Sequence, residues 1–291
     1  MYSSLVWLLL PGILITAFFW ACAWTSAGIF SENSFFPLWC GYILIVSGLS
    51  DVLIGSSLVR RMGFSFAWLF VFSIPMWWFF ERINLIVQNW HYELYPISDL
   101  HYFIQASIDF STVIPAVLST VFLFDHLPHH VQITLRPLKP RKVYLLLSVI
   151  VGILSCGLIY EFPREAFPLV WIAPIFLVEP TSYLLGKPCL LKYAQRGDVR
   201  IALAAGAAAF FCGVWWELWN FYSFPKWYYT IPYVGCCKVF EMPALGYFGY
   251  PFFGVLVVSY SALLCATFLN KNILVMLENE RNYPVKRCTS S

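Results

Sequence analysis

Two short patterns bring carboxylates into apolar surroundings. Glu81 and Asn84 stand three residues apart behind Trp77 and Trp78, and Trp90 and Tyr92 come after them. The same order returns as Trp215, Trp216, Glu217, Trp219 and Asn220, then Trp227 and Tyr229. On a helix, a spacing of three puts each Glu and its Asn on one face. Carboxyl groups enclosed by indoles are poorly solvated, and two at one level can divide the roles of acid and base at neutral pH. Glu81 and Glu217 are then the expected proton donor and acceptor, Asn84 and Asn220 their orienting partners, and Glu241 an assisting acid. Trp77, Trp78, Trp90, Tyr92, Trp215, Trp216, Trp219, Trp227 and Tyr229, with Gln105 and Asp109, are the expected substrate-binding wall. The competing reading is structural: each Glu bonds its own Asn, backbone or Arg82, and the aromatic residues form an interfacial belt.

These residues sit in a chain that is 60% hydrophobic and only 11% charged over 291 residues. Soluble domains carry about a quarter charged residues. Soluble enzymes, disordered chains and disulfide scaffolds are therefore disfavoured, and a net charge of +3 is too small to call for nucleic acid. Eight stretches reach the length a membrane helix needs, near 5–24, 36–58, 64–86, 102–124, 143–160, 167–186, 201–222 and 242–268. Runs such as Val143–Ile159 lack the alternation of a barrel strand. The sequence predicts an all-α polytopic membrane protein. The first span resembles a secretory signal in its Ala21-Cys22-Ala23, but Met1-Tyr2-Ser3-Ser4 carries no basic residue. Fourteen of the eighteen Lys and Arg residues fall on one side of this eight-span arrangement. Basic residues stay cytoplasmic, which predicts a multi-pass inner (plasma) membrane protein with both termini in the cytoplasm.

The chain also repeats itself. Phe36-Pro37-Leu38-Trp39 returns as Phe167-Pro168-Leu169-Val170-Trp171, with Gly55 and Gly186 beyond them at equal intervals. Pro115 and Pro251 match in the last span of each half. The expected units are a four-helix repeat over 1–130, a second of the same orientation over 131–268, and a cytoplasmic tail over 269–291. Four crossings return the chain to its starting side, so the halves meet about an axis along the membrane normal, where sites of repeat-built membrane proteins tend to form. The glutamates, Gln105 and Asp109 then gather near the outer leaflet.

Other polar groups read as structural. Asp51 and Glu179 lie deeper and out of register with each other, which favours helix packing. His126, His129 and His130 belong to a loop expected to meet lipid headgroups. His91 and His101 lie near the acids but lack the helical spacing of a carboxylate–imidazole site, so no metal is expected, and no cofactor is assigned. Ala205, Ala209 and Gly213 make a small-residue stripe that permits close helix contact, as do Gly246, Gly249 and Gly254. Cysteines within the spans, such as Cys22 and Cys212, read as small apolar residues.

The segment Trp215–Asn220, Pro225–Tyr229 and Phe240–Tyr247 resembles a family of uncharacterised bacterial polytopic membrane proteins, which brings no assigned activity. Glu217, Trp227, Tyr229 and Glu241-Met242-Pro243, like Glu81, Trp90 and Tyr92, stand in an order similar to that of carotenoid lycopene cyclase domains. Their Pro-x-Glu-Glu is not present here: Glu241 stands alone, and Gln105 holds its place in the first half. That resemblance implies acid–base chemistry of isomerase or cyclase type on an isoprenoid, without a redox cofactor. The function expected from the residues is the binding of an isoprenoid or other lipid in an aromatic, carboxylate-containing pocket. The alternative is a non-catalytic membrane subunit or transporter, in which the glutamates fix helix packing and the aromatic surface meets membrane lipids or a membrane-protein partner.

Overall fold

The protein is described by a computed structural model, which covers residues 5–127 and 135–278. Among the described residues seven helices are long and apolar enough to cross a membrane: α1 (Trp7–Trp24), α2 (Phe35–Ile54), α3 (Leu58–Val87), α4 (Asp99–His126), α5 (Lys142–Glu161), α7 (Arg200–Phe221) and α8 (Ala244–Phe268). Between α5 and α7 lies a shorter apolar helix, α6 (Leu169–Leu184). The chain is an all-α polytopic membrane protein. The expected sixth span is thus shorter than 167–186. It contains Pro174 and Pro180, and Glu179 on it turns to accept the amides of Leu190 (3.2 Å) and Leu191 (2.9 Å) on the next short helix, Leu190–Ala194. Met1-Tyr2-Ser3-Ser4, His129, His130 and the tail beyond Glu278 lie outside the described residues.

Glycines set the close helix crossings. Cβ atoms at Gly12 and Gly48 would press on the backbone of the facing helix, so α1 and α2 touch main chain to main chain. Gly254 on α8 lies against the Ala205 carbonyl and the Ala209 methyl of α7, the expected small-residue stripe. In water-poor surroundings every backbone group needs an internal partner, and α4 meets this at a break. Helix Asp99–Phe110 gives way at Ser111 and Thr112 to helix Val113–His126. The Ser73 hydroxyl from α3 donates to the Phe110 carbonyl at 2.5 Å and accepts the Ile114 amide at 3.1 Å. The Ser111 and Thr112 hydroxyls bond back to Ile108 and Asp109.

The second half of α4 is almost wholly enclosed, packed by α2, α3, α7 and α8. α1 pairs with α2 and α5 with α6; α2 meets α4 as α6 meets α8. α5 presents Ile150, Ile153, Leu154 and Leu158 outward, a surface suited to lipid. Fully buried Trp39, Phe80, Phe122 and Phe253 anchor the core. Phe253 meets Phe80, Trp77 and Trp171 at ring separations of 5.7, 5.9 and 6.0 Å, where edge-on aromatic packing is favourable.

The two ends of the bundle differ. At one, α3 and α7 each run into a strand, β1 (Trp90–Glu93) and β2 (Lys226–Tyr229), which pair antiparallel with Trp90 opposite Tyr229 and Tyr92 opposite Trp227. Two further short strands, β3 (Lys238–Val239) and β4 (Met242–Pro243), lead into α8. At the other end Asp51 binds Arg60 at 2.7 Å, and Arg61 donates to the Met276 and Glu278 carbonyls at 3.0 Å each. There His126 is not a loop residue. It ends α4 buried, its Nδ1 2.8 Å from the Phe122 carbonyl and its Nε2 3.3 Å from Arg61. The helix simply continues further than the hydropathy of Asp125-His126 suggested.

Candidate functional site

Each Glu-x-x-Asn pattern is explained by the strand to which its helix leads. Glu81 Oε1 accepts from Trp77 Nε1 (2.9 Å), Trp90 Nε1 (3.1 Å) and the Tyr92 hydroxyl (2.6 Å). Glu217 Oε1 accepts from the Tyr229 hydroxyl (2.7 Å), the Tyr250 hydroxyl (3.0 Å) and, more weakly, Trp227 Nε1 (3.5 Å). Side chains alternate along a strand, so Trp90 and Tyr92 share one face of β1, and Trp227 and Tyr229 share one face of β2. In the observed register those faces coincide. The paired strands therefore cap the bundle with four aromatic side chains turned toward two carboxylates. Burial, with Glu81 beside it, pushes the Tyr92 phenol well above its ordinary range, and burial beside Glu217 does the same for Tyr229. Both remain O–H donors at any physiological pH.

The asparagines do not touch the glutamates. Asn84 Nδ2 donates to the Trp90 carbonyl at 2.7 Å, and its Oδ1 accepts the amides of Asn89 and Trp90. Asn220 clamps both backbone groups of Trp227 in the same way, at 2.7 and 2.8 Å. The expectation that they orient the carboxylates is corrected: each pins the backbone of the tryptophan that faces the acid. The physical reason is the sharp exit from the helix, which leaves backbone groups without helical partners. Asn220→Ala removes two hydrogen bonds to buried backbone at about 0.5–1.5 kcal/mol each. It should lower the thermal midpoint in detergent by several degrees while leaving α7 helical, a result readable by circular dichroism.

The third donor differs between the two sites. Trp77 precedes Glu81 by one turn, whereas the position one turn before Glu217 is Gly213. A Cβ there would run into the Tyr250 ring. Tyr250 from α8 fills that space and supplies the bond an indole supplies to Glu81.

Beneath the strand pair lies a cavity of about 410 Å³, within the range of small-molecule sites. Of the expected wall, Trp77, Trp90, Tyr92, Gln105, Asp109, Trp216, Trp219, Trp227 and Tyr229 line it, together with Asn220. Glu81, Glu217, Asn84 and Glu241 are not among its lining residues; the donors to the two carboxylates stand between them and the space. Trp78 instead bonds Ser107 at 3.0 Å and stacks on Phe103, and Trp215 packs against Trp20 and Trp219. Glu241 is held by Lys226 at 2.6 Å and approached by Lys238 at 3.9 Å. Gln105 donates to the Glu32 carbonyl at 2.8 Å, which ties the short helix Ile29–Glu32 over the cavity. No family model, curated protein or solved structure matches this chain. Geometry alone therefore carries the functional reading.

Sequence reasoning missed Tyr250, Trp171 and Tyr102 as wall residues. Tyr250 was signalled by Gly213, whose missing side chain at the Trp77-equivalent place called for a substitute. Nothing in the chain pointed to the Ile29–Glu32 helix. His91 stacks on Tyr228 and sits 2.7 Å from the Thr230 hydroxyl, while His101 lies on the cavity rim. Among the described residues no group of three or more His, Cys, Asp or Glu side chains is placed to hold a metal.

Proposed function

We propose that the protein binds a lipophilic molecule, an isoprenoid or other lipid, in the aromatic cavity under the strand pair. The observation that carries this reading is the cavity itself: a mostly apolar space at one end of a membrane bundle, bordered by six indoles and five phenols, with polar side chains among the remaining lining residues. In this reading Glu81 and Glu217 hold the wall in shape and do not exchange protons with the ligand, because aromatic side chains separate them from it. Acid–base chemistry would fall to Asp109, the acid on the broken helix α4 that borders the space. Non-helical backbone at membrane depth is tolerated where it is buried in protein or faces a cavity, and the break at Ser111 and Thr112 sits beside the lining residues Asp109, Phe110 and Val113.

The test is mass spectrometry of gently extracted protein against Ala106→Trp. Ala106 is buried in the cavity wall, so an indole there fills space without removing an existing contact. The wild type should carry a co-purifying lipophile and the variant at most a tenth as much. Equal amounts would place the bound molecule on the lipid-facing exterior and end this reading.

Two halves of like orientation support the placement of the site at their junction. The Glu–Asn–strand device occurs in both halves, and a positive-φ glycine follows α2 and α6 alike: Gly55 (φ +87°) caps α2, and Gly186 (φ +70°) comes one residue after the Leu185 cap of α6. The strand register maps onto itself when the halves are exchanged. The basic-residue count orients the strand pair outward from an inner membrane, with both termini cytoplasmic. Cys236 and Cys237, exposed free thiols between β2 and β3, should react in intact cells with a membrane-impermeant maleimide. Labelling only after lysis would reverse the orientation.

A further inference from the structure

The cavity has a sign as well as a shape. Trp77, Trp90, Trp171, Trp216, Trp219 and Trp227 border it, and the face of an indole carries the negative part of its quadrupole. Trp77 and Trp90 donate their N–H to Glu81, and Trp227 donates to the Tyr229 hydroxyl, which donates in turn to Glu217. Hydrogen bonds in series polarise one another, so an indole giving its proton toward a carboxyl oxygen keeps more electron density on the ring. The two carboxylates therefore act on the space through the rings between them.

The acids at the edge add to that sign. Asp109 and Glu32 both border the cavity. Asp109 lies near the Phe36 amide in the first turn of α2. Of the basic lining residues, Lys226 is already held by Glu241 at 2.6 Å, and His101 stands at the exposed rim. A phosphate or carboxylate head entering here would meet two acids and the π faces, with the one ammonium engaged elsewhere. A positively charged centre would meet two acids and the bordering indoles, with the Lys226 ammonium drawn to Glu241.

We propose that the ligand is a lipophilic cation: a protonated or quaternary amine on a hydrocarbon body, its charged centre resting on the indole faces near Asp109. This rests on the cavity being the ligand site. The experiment uses the full-length protein in uncharged maltoside micelles. Octyltrimethylammonium is compared with its neutral isostere, in which carbon replaces nitrogen, by titration of tryptophan fluorescence. The wild type should bind the cation at least tenfold more tightly than the isostere. Asp109→Asn should cut that ratio threefold or more, and Ala106→Trp should abolish saturable binding of both probes. Equal binding of the two probes, blocked by Ala106→Trp, overturns the cation and leaves the cavity as a lipid site. Saturable binding of neither probe overturns the cavity reading and the inference with it. A high ratio unaffected by both substitutions is partition into the micelle and overturns the inference as well. Should Asp109→Asn fail to fold, the wild-type ratio still decides.

Discussion

Glu217→Ala should destabilise the protein far more than Glu217→Gln. Alanine takes away the oxygen that receives the Tyr229 and Tyr250 hydroxyls and the longer bond from Trp227. Glu217 is 0% exposed, so water cannot replace that acceptor without opening the bundle. An unpaired buried donor costs about 1–3 kcal/mol, and the two short bonds alone bring the loss to about 2–6 kcal/mol. Glutamine keeps a carbonyl oxygen where Oε1 sits. Its amide nitrogen then occupies the place of Oε2, which has no hydrogen-bond partner, at about 1–3 kcal/mol for the unsatisfied donor. The order of unfolding midpoints in detergent should be wild type, then Gln, then Ala. If the proposed lipophile binds, its retention should run in the same order, because Trp227, Tyr229 and Tyr250 are cavity wall. If the two substitutions gave the same midpoint, Oε1 would not be what organises the wall. The matching pair at Glu81 should show a smaller gap, since that side chain is 9% exposed and reaches water more easily.

The spans were legible because lipid imposes a simple rule on composition, and about 20 apolar residues in a row admit few other readings. What hydropathy could not show was where a helix stops. α6 ends at Leu184 because a turn closed by Gly186 comes next. α4 ends only at His126 because Arg61 and the Phe122 carbonyl satisfy its imidazole. The repeated Glu, Asn, Trp and Tyr residues were visible as a set, and the structure brings most of them to the strand pair, with Trp78 and Trp215 packed elsewhere. Their division of labour was hidden, because it depends on the pairing of β1 with β2, two strands of four residues that are far apart in sequence. Spacing on a helix pointed Asn84 toward Glu81. The chain turns back sharply after Val87, and the asparagine is drawn to backbone groups that the turn exposes. The cavity lay beyond sequence altogether, since its edge includes the Ile29–Glu32 helix and the break in α4, neither of which has a hydropathy signature.

Gly254→Ala is the other substitution expected to have a large effect, and it reaches the site indirectly. A methyl group at this position would overlap the Ala205 carbonyl and press on the Ala209 side chain. The obstacle is backbone, which no rotamer change can move aside, so α7 and α8 must separate. Overpacking of this kind costs about 1–3 kcal/mol. In a membrane the loss is sharpened, because van der Waals contact, and not expulsion of water, holds such helices together. The same crossing sets the reach of Tyr250 on α8 to Glu217 on α7, now 3.0 Å. A shift of about half an ångström would lengthen that bond past the range of a good hydrogen bond, and the Tyr250 ring would leave the space that Gly213 keeps open. Gly254→Ala should therefore lower the unfolding midpoint and weaken retention of the proposed lipophile together, although it lies outside the cavity lining. Ala262→Gly, at a buried position two turns further along α8, is the control: it loses helix propensity at about 1 kcal/mol and a buried methyl, with no added bulk to force α7 and α8 apart. A fall in stability with retention intact for Gly254→Ala would mean that the Tyr250 bond tolerates the shift, and that β2 alone holds this side of the wall.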